Sequence, residues 1–283
     1  MIEEFVKFAK EEIAHGGPEP ELAPIVWLTK DWSDVDKVWA AGVYCSHHVV
    51  PSTVAILQHF PKPQPVIENE AVLAEFLIDH WEALPVRNEM RSHRMPEKRL
   101  KCLFDFAVYA LEERWRHGNY DDVWNDSIAS VKYFGRYVAI KYMEFLRRMV
   151  RPDLILGDVR AHQAWSVREG LSLLFPETES WMSDREDNTD ETIEKVESRA
   201  TALIEDLKHH DVNLSHFDAQ VLLCEFKQMT RGTFYAGKSH DEEYDFAKRV
   251  ETHFQIPEFW EARKALFPHH ILKELQDGQT NAS

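Results

Sequence analysis

Gln220–Glu243, QVLLCEFKQMTRGTFYAGKSHDEE, holds the choice on which the fold depends. Val221, Leu222, Leu223, Cys224 and Phe226 stand among helix formers and fit a buried helix, although periodicity alone also admits a fully buried strand. Gly232 to Ser239 then satisfies G-x-x-x-x-G-K-[ST], the pattern of a phosphate-wrapping loop that follows a strand in nucleotide-binding α/β proteins. Here the match lies near the end of the chain, after a helix-like segment, and Phe234 and Tyr235 would crowd a loop that must wrap phosphates. Ser239 followed by Glu242 has the spacing of a capping box and starts a second helix. The reading is therefore helix, turn, helix, and it sets an all-α expectation for the chain. Arg231 and Lys238 flank the start of the second helix, whose free N–H groups carry partial positive charge, so the corner is a candidate anion site as well as a capped structural turn.

Composition supports this fold class. Ten glycines in 283 residues are few for a glycine-rich Rossmann or all-β protein, and 44% apolar content suffices for one large core or two modest ones. No run of 18 apolar residues occurs, and MIEEFVKFAKEEIAHGG has no signal-peptide core, so a soluble, non-exported protein with no membrane partner is expected. Cys45, Cys102 and Cys224 are an odd, widely spaced set, which fits a reducing cytoplasm better than a disulfide framework. The net charge of -16 speaks against a polyanion partner, but its distribution is uneven. Arg87 to Arg151 carries fourteen Lys or Arg against nine Asp or Glu, whereas Glu177 to Asp211 carries twelve acids against four bases. A basic middle of this kind suits an anionic ligand; solvated helix faces are the plain alternative.

Taken in order, helix follows helix. Residues 2 to 14 form an amphipathic helix that Gly16-Gly17-Pro18 stops, and Ile25 to Leu28 is a short strand or the lead into the next element. Ser33 caps a helix to about His48, Pro51 opens another to Phe60, and Pro61, Pro63 and Pro65 make an extended connector. Helices are expected over 68 to 82, from Pro96 to His117, and over Asp121 to Met149 with Gly135 inside, where a mid-helix glycine suggests a close approach. Arg160 to Phe175, Asp190 to Lys208, Ser215 to Met229, Ser239 to Phe254 and Pro257 to Phe267 complete the set. The expected division is an N-terminal helix and linker over 1–24, one multi-helix globular domain over 25–275, and a disordered tail over 276–283.

Three constellations bear on chemistry. Arg87, Arg91, Arg94, Lys98 and Lys101 would make one basic stripe on a continuous helix, suited to nucleic-acid phosphates, with Pro96 as the interruption. Lys132 and Arg136, one turn apart beside Tyr133, Tyr137 and Gly135, are cations within an otherwise apolar helix, which points to an anionic ligand or to snorkelling side chains. The adjacent histidines His47-His48, His209-His210 and His269-His270 would point apart, and no zinc spacing is present, so neither a metal site nor a cofactor is expected.

The stretches WAAGVYCSHHVVPSTVAIL, ALPVRNEMRSHRMPEKRLKCLFDFAVYA, KYFGRYVAIKYMEFLRR and VLLCEFKQMTRGTFYAGKSHDEE, spread over roughly residues 30 to 250, resemble the amino acid:DNA transferases of bacteriophages with hypermodified thymines. That resemblance implies an all-helical enzyme of the host cytoplasm whose partners are DNA carrying a modified thymine and a free amino acid. The implied reaction replaces the pyrophosphate of 5-pyrophosphomethyl-deoxyuridine with glycine or serine. In that reaction Lys238, Arg231, Arg136 and Lys132 would neutralise the departing charge, and Glu225, His240 or Asp241 would take the amine proton. The extruded base would stack on Phe234, Tyr235, Tyr133 or Tyr137. The other readings are a P-loop nucleotide kinase or hydrolase and a non-enzymatic acidic helical binding protein.

Overall fold

Apolar residues three and four apart give nearly every helix one buried face, and the computed structural model realises them as an all-α protein. The structure describes residues 1–88, 90–176 and 189–270, without the side chains of 91 and 92. No strand occurs among the described residues, so Gln220–Thr230 is settled as helix and Ile25–Leu28 belongs to one as well. No helix among them is long and apolar enough to cross a membrane. The 276–283 tail and the 177–188 part of the acidic stretch lie outside the described residues.

Contacts divide the chain into two compact units, one of Met1–Pro20 with Leu156–Ser239 and one of Glu21–Ile155 with His240–Ser283. Chain order had suggested a boundary at 24 and one domain beyond it; the grouping instead joins the N-terminal helix to a segment more than a hundred residues downstream. In the first unit, α1 (Ile2–Ala14) directs Phe5 and Phe8 at Phe226 of α12 (His216–Thr230), with ring centroids 5.1 and 5.9 Å apart. Between them in sequence run α10 (Trp165–Leu174) and α11 (Asp190–Lys208), whose Leu171, Val196, Leu203 and Leu207 complete this core. Gly170 of α10 faces the backbone of α12 so closely that a Cβ would overlap the Leu223 carbonyl. Only glycine permits that crossing.

The second unit centres on α3 (Asp34–His47), capped by Ser33 and buried without interruption from Val38 to His47. It packs against α7 (Pro96–Leu111) and α9 (Arg136–Met149), and Gly42 lets the Phe106 ring approach to where a Cβ would stand 2.6 Å away. Around these run α2 (Leu22–Leu28), α4 (Val50–His59), α5 (Gln64–Glu68), α6 (Glu70–Asp79), α8 (Tyr120–Ser130) and α14 (Pro257–Leu266). The remaining helix, α13 (Lys238–Val250), begins on the last two residues of the first unit and continues in the second.

Several boundaries differ from the sequence reading for local reasons. Residues 61–65 are not wholly an extended connector, because Pro63 and Pro65 sit at the start of α5, where a missing N–H costs nothing. The helix from Pro96 ends at Leu111, followed by a short 3-10 turn at Arg114–Arg116. Trp165, not Arg160, opens α10, since Arg160 is left-handed with φ 52°. The 121–149 stretch is two helices. Tyr133 adopts φ 61°, and Gly135 is the N-cap of α9 rather than a mid-helix residue, with open space where a Cβ would lie. Ser239 lies inside the first turn of α13 rather than capping it, whereas Asn119 with Asp122 and Ser215 with Asp218 form true capping boxes.

Candidate functional site

The Gly232–Lys238 corner is held by its own unit. Gly232 and Gly237 take φ of 70° and 84°, a region that favours glycine, and the Gly237 N–H donates to Glu12 Oε1 at 3.1 Å. Phe234 packs edge-on against Phe8 at 6.1 Å, whereas Tyr235 is exposed. Lys238 Nζ donates to the Thr233 carbonyl at 2.7 Å, and Arg231 pairs with Glu169 at 3.4 Å. A helix, not a strand, precedes Gly232, so the setting of a nucleotide P-loop is not met among the described residues. Glu225, buried on α12, belongs to the same unit.

Lys132, Arg136, Tyr133, Tyr137, His240 and Asp241 lie in the second unit, so the cations expected to gather are divided between two bodies. The basic stripe does not form. Arg87 is drawn inside, where it pairs with Glu21 at 2.6 Å, Glu243 at 2.9 Å and Glu242 at 3.0 Å. Burial opposes its charge, but these carboxylates outweigh that penalty and hold its pKa well above the ordinary value. Arg94 donates to Asn88 Oδ1 at 2.6 Å, and Lys101 pairs with Asp105 at 2.7 Å. The Arg91 side chain lies outside the described residues. His240 is also buried, stacked on His270 with centroids 3.8 Å apart and beside Arg263 Nη1 at 3.4 Å.

What the second unit does assemble begins at the end of α3. His47 is its last residue, and His48 takes the left-handed φ of 59° that ends it. Their rings diverge, as expected for adjacent histidines. His47 Nε2 lies 3.2 Å from Arg99 Nη1, and His48 Nε2 lies 2.7 Å from Lys141 Nζ. The turn is clamped from outside: Arg87 N–H donates to the His47 carbonyl at 3.2 Å and Glu243 Oε2 accepts from Val50 N–H at 2.9 Å. Burial drives the Glu243 carboxyl up to about 7, against the pull of Arg87 and with a further push from Glu21.

Arg99, 2% exposed, was missed in the sequence because it sits in a run of surface-like charges. Its guanidinium lies 3.9 Å over the ring of half-buried Trp81 and donates to the carbonyls of His93 and Leu84 at 3.1 and 3.2 Å. Among the described residues no carboxylate is hydrogen-bonded to it, and burial lowers its pKa to about 9. His93 is fully buried beside it, and burial followed by the Arg99 charge depresses its pKa to about 4. The same two causes hold His47 well below the ordinary value.

At the surface of this unit, Lys132, Tyr133, Gly135, Arg136 and Tyr137 form an exposed strip at the start of α9. Lys98 Nζ lies 5.5 Å over the Tyr133 ring, and Lys141 Nζ lies 4.8 Å over that of Tyr137. The His48 ring meets Tyr137 edge-on at 5.8 Å, which links the strip to the buried histidines. No acid occupies the first turn of α9, so its dipole and side chains share one sign. Among the described residues no group of three or more His, Cys, Asp or Glu side chains is arranged to hold a metal. Neither a scan against protein-family models nor a search of curated proteins found a match.

Proposed function

We propose that this chain is a DNA-acting transferase that replaces the pyrophosphate of 5-pyrophosphomethyl-deoxyuridine with an amino acid, the reaction implied by the resemblance to the phage enzymes. The observation that carries this reading is the pair of exposed tyrosines, Tyr133 and Tyr137, set among Lys98, Lys132, Arg136 and Lys141. A base swung out of a duplex needs a flat face to replace its lost stacking, worth about 1–3 kcal/mol per base, and its backbone needs cations. The strip offers both within six residues.

The transfer itself needs a neutral amine. Its nitrogen lone pair forms the new bond to the methylene carbon as the carbon–oxygen bond breaks, and pyrophosphate leaves with that electron pair. His48, buried beside Lys141 and edge-on to Tyr137, is the proton acceptor of this scheme. Arg231, Lys238, Glu225, Phe234 and Tyr235 belong to the other unit and are not used in this scheme.

The test is transfer of labelled glycine or serine to pyrophosphorylated DNA by the wild type and by Tyr137→Ala, Tyr133→Ala and Arg136→Ala. These side chains are exposed, so the variants should keep wild-type helicity and lose transfer. Undiminished transfer in all three would remove the strip from the reaction, and absence of transfer by the wild type with either amino acid would overturn the reading.

A further inference from the structure

Met95, 44% exposed, stands beside the tyrosine strip. Residues on either side of it in sequence reach Tyr133: its backbone lies within reach of the His93 ring, and Lys98 Nζ lies over its ring. The Lys98 N–H donates to the Met95 carbonyl at 3.1 Å, so Met95 opens the turn that carries this lysine. Met95 is also the N-cap of α7, with ψ of 122°, and its side chain makes no cap bond. Serine, threonine, aspartate or asparagine there would satisfy a first-turn N–H, whereas a thioether satisfies none. Pro96, the first residue of α7, has φ fixed by its ring and makes the corner stiff. Stability of the helix therefore favours neither this residue type nor its exposure. A lone exposed apolar side chain is ordinary, but this one shares its surface with exposed Tyr133 and with Lys98 and Lys132.

We infer that Met95 is the wedge that enters a DNA duplex where the target base leaves it, while the tyrosine strip receives that base; the inference rests on the base-extruding reading above. A base that swings out leaves a gap whose two faces have lost their stacking, and an apolar side chain that fills the gap keeps the base from returning. Methionine is unbranched and polarisable, so it fits between two flat faces and gains contact with both. Exposed Arg94, held by Asn88, precedes it, and with Lys98 and Lys132 it suits the phosphates that flank such a gap; Glu97 is the acid on the same turn. A single strand has no stack to hold open. The wedge therefore assigns double-stranded DNA as the substrate class, and Met95 is a positioning residue that touches the gap rather than the reacting atoms.

The experiment uses the full chain and one oligonucleotide carrying 5-pyrophosphomethyl-deoxyuridine, both as a duplex and as a single strand. A 2-aminopurine beside the target base reports loss of stacking by its fluorescence. Wild type, Met95→Ala and Met95→Leu are compared for brightening on binding and for transfer of labelled glycine or serine. Expected are brightening of the duplex by the wild type, a ratio of duplex to single-strand transfer at least about tenfold lower in Met95→Ala, and recovery of most of that ratio in Met95→Leu. Met95→Ser, which adds a cap, serves as the second truncation should Met95→Ala fold poorly. An unchanged ratio in the alanine variant, equal losses on duplex and single strand, or a leucine variant as weak as alanine overturns the wedge. Met95-dependent sedimentation with phosphatidylserine vesicles, without binding of duplex DNA, overturns it too and places the residue at a membrane surface. Transfer without the expected change in ratio removes the wedge alone, Met95-dependent brightening without transfer removes the proposed reaction alone, and absence of both removes both.

Discussion

Glu243 should make the stability of this protein fall as pH rises through neutrality, against the usual behaviour of a carboxylate. Burial raises its folded pKa from 4.5 to about 7, with Arg87 pulling down and Glu21 pushing up. A group whose folded pKa lies above its unfolded value adds stability below the unfolded pKa, and that contribution disappears as pH climbs through the folded value. One proton with these two pKa values contributes about 2 kcal/mol near pH 5.5 and almost nothing near pH 8.5. His93 and His47, depressed by burial and by Arg99, act in the opposite direction, because the unfolded chain takes up their protons first on acidification. The two effects overlap, so the wild-type profile alone does not isolate Glu243. Glu243→Gln removes this titration and keeps one oxygen, for either Val50 N–H or Arg87; the bond lost at the other position costs stability by an amount that does not vary with pH, and the histidines contribute equally to both proteins. Urea denaturation followed by circular dichroism, at steps between about pH 5.5 and 8.5, should show the wild type losing about 2 kcal/mol relative to the variant. A difference that stays constant within about 0.5 kcal/mol across that range would refute the idea that this carboxyl is protonated near neutrality in the fold.

Two further outcomes follow from packing. Gly170→Ala should destabilise the unit containing α10 and α12 by at least about 2 kcal/mol, read as a lower urea midpoint, because its Cβ would overlap the rigid Leu223 carbonyl; an unchanged midpoint would show that the helices separate freely. With a disulfide-exchange thiol reagent, native protein should react at half-buried Cys224 and not at buried Cys45 or Cys102, whose thiol burial pushes well up; equal reaction of all three would place the second core in contact with water.

Local pattern and tertiary burial contributed differently to what was legible. The bounds of α1 and α11 were readable to the residue, because apolar spacing and the following breaker or preceding threonine act within one turn. The cap at Ser33 was readable for the same reason, whereas Ser215, read as the first residue of its helix, is the N-cap. The break at Val131–Gly135 was not, since both flanking stretches share one apolar rhythm and the left-handed Tyr133 leaves no mark in composition. Among the expected site residues, Lys132, Arg136 and Tyr137 lie together with Tyr133 on one exposed strip, whereas Arg231 and Lys238 are engaged within the other unit.

The sequence by itself determined the helical class, through periodicity and scarce glycine, and it determined most helix ends, because capping is an interaction between residues three or four apart. Only the tertiary structure decided which charges are inside. Arg87 read as a member of one surface row and Arg99 was not singled out, yet Arg87 meets carboxylates 66, 155 and 156 residues away and Arg99 meets an imidazole 52 residues away. The physical reason is that a charge's environment depends on who surrounds it in space: desolvation and Coulomb attraction act through distance, and distance between remote residues is set by the packed helices rather than by their order in the chain.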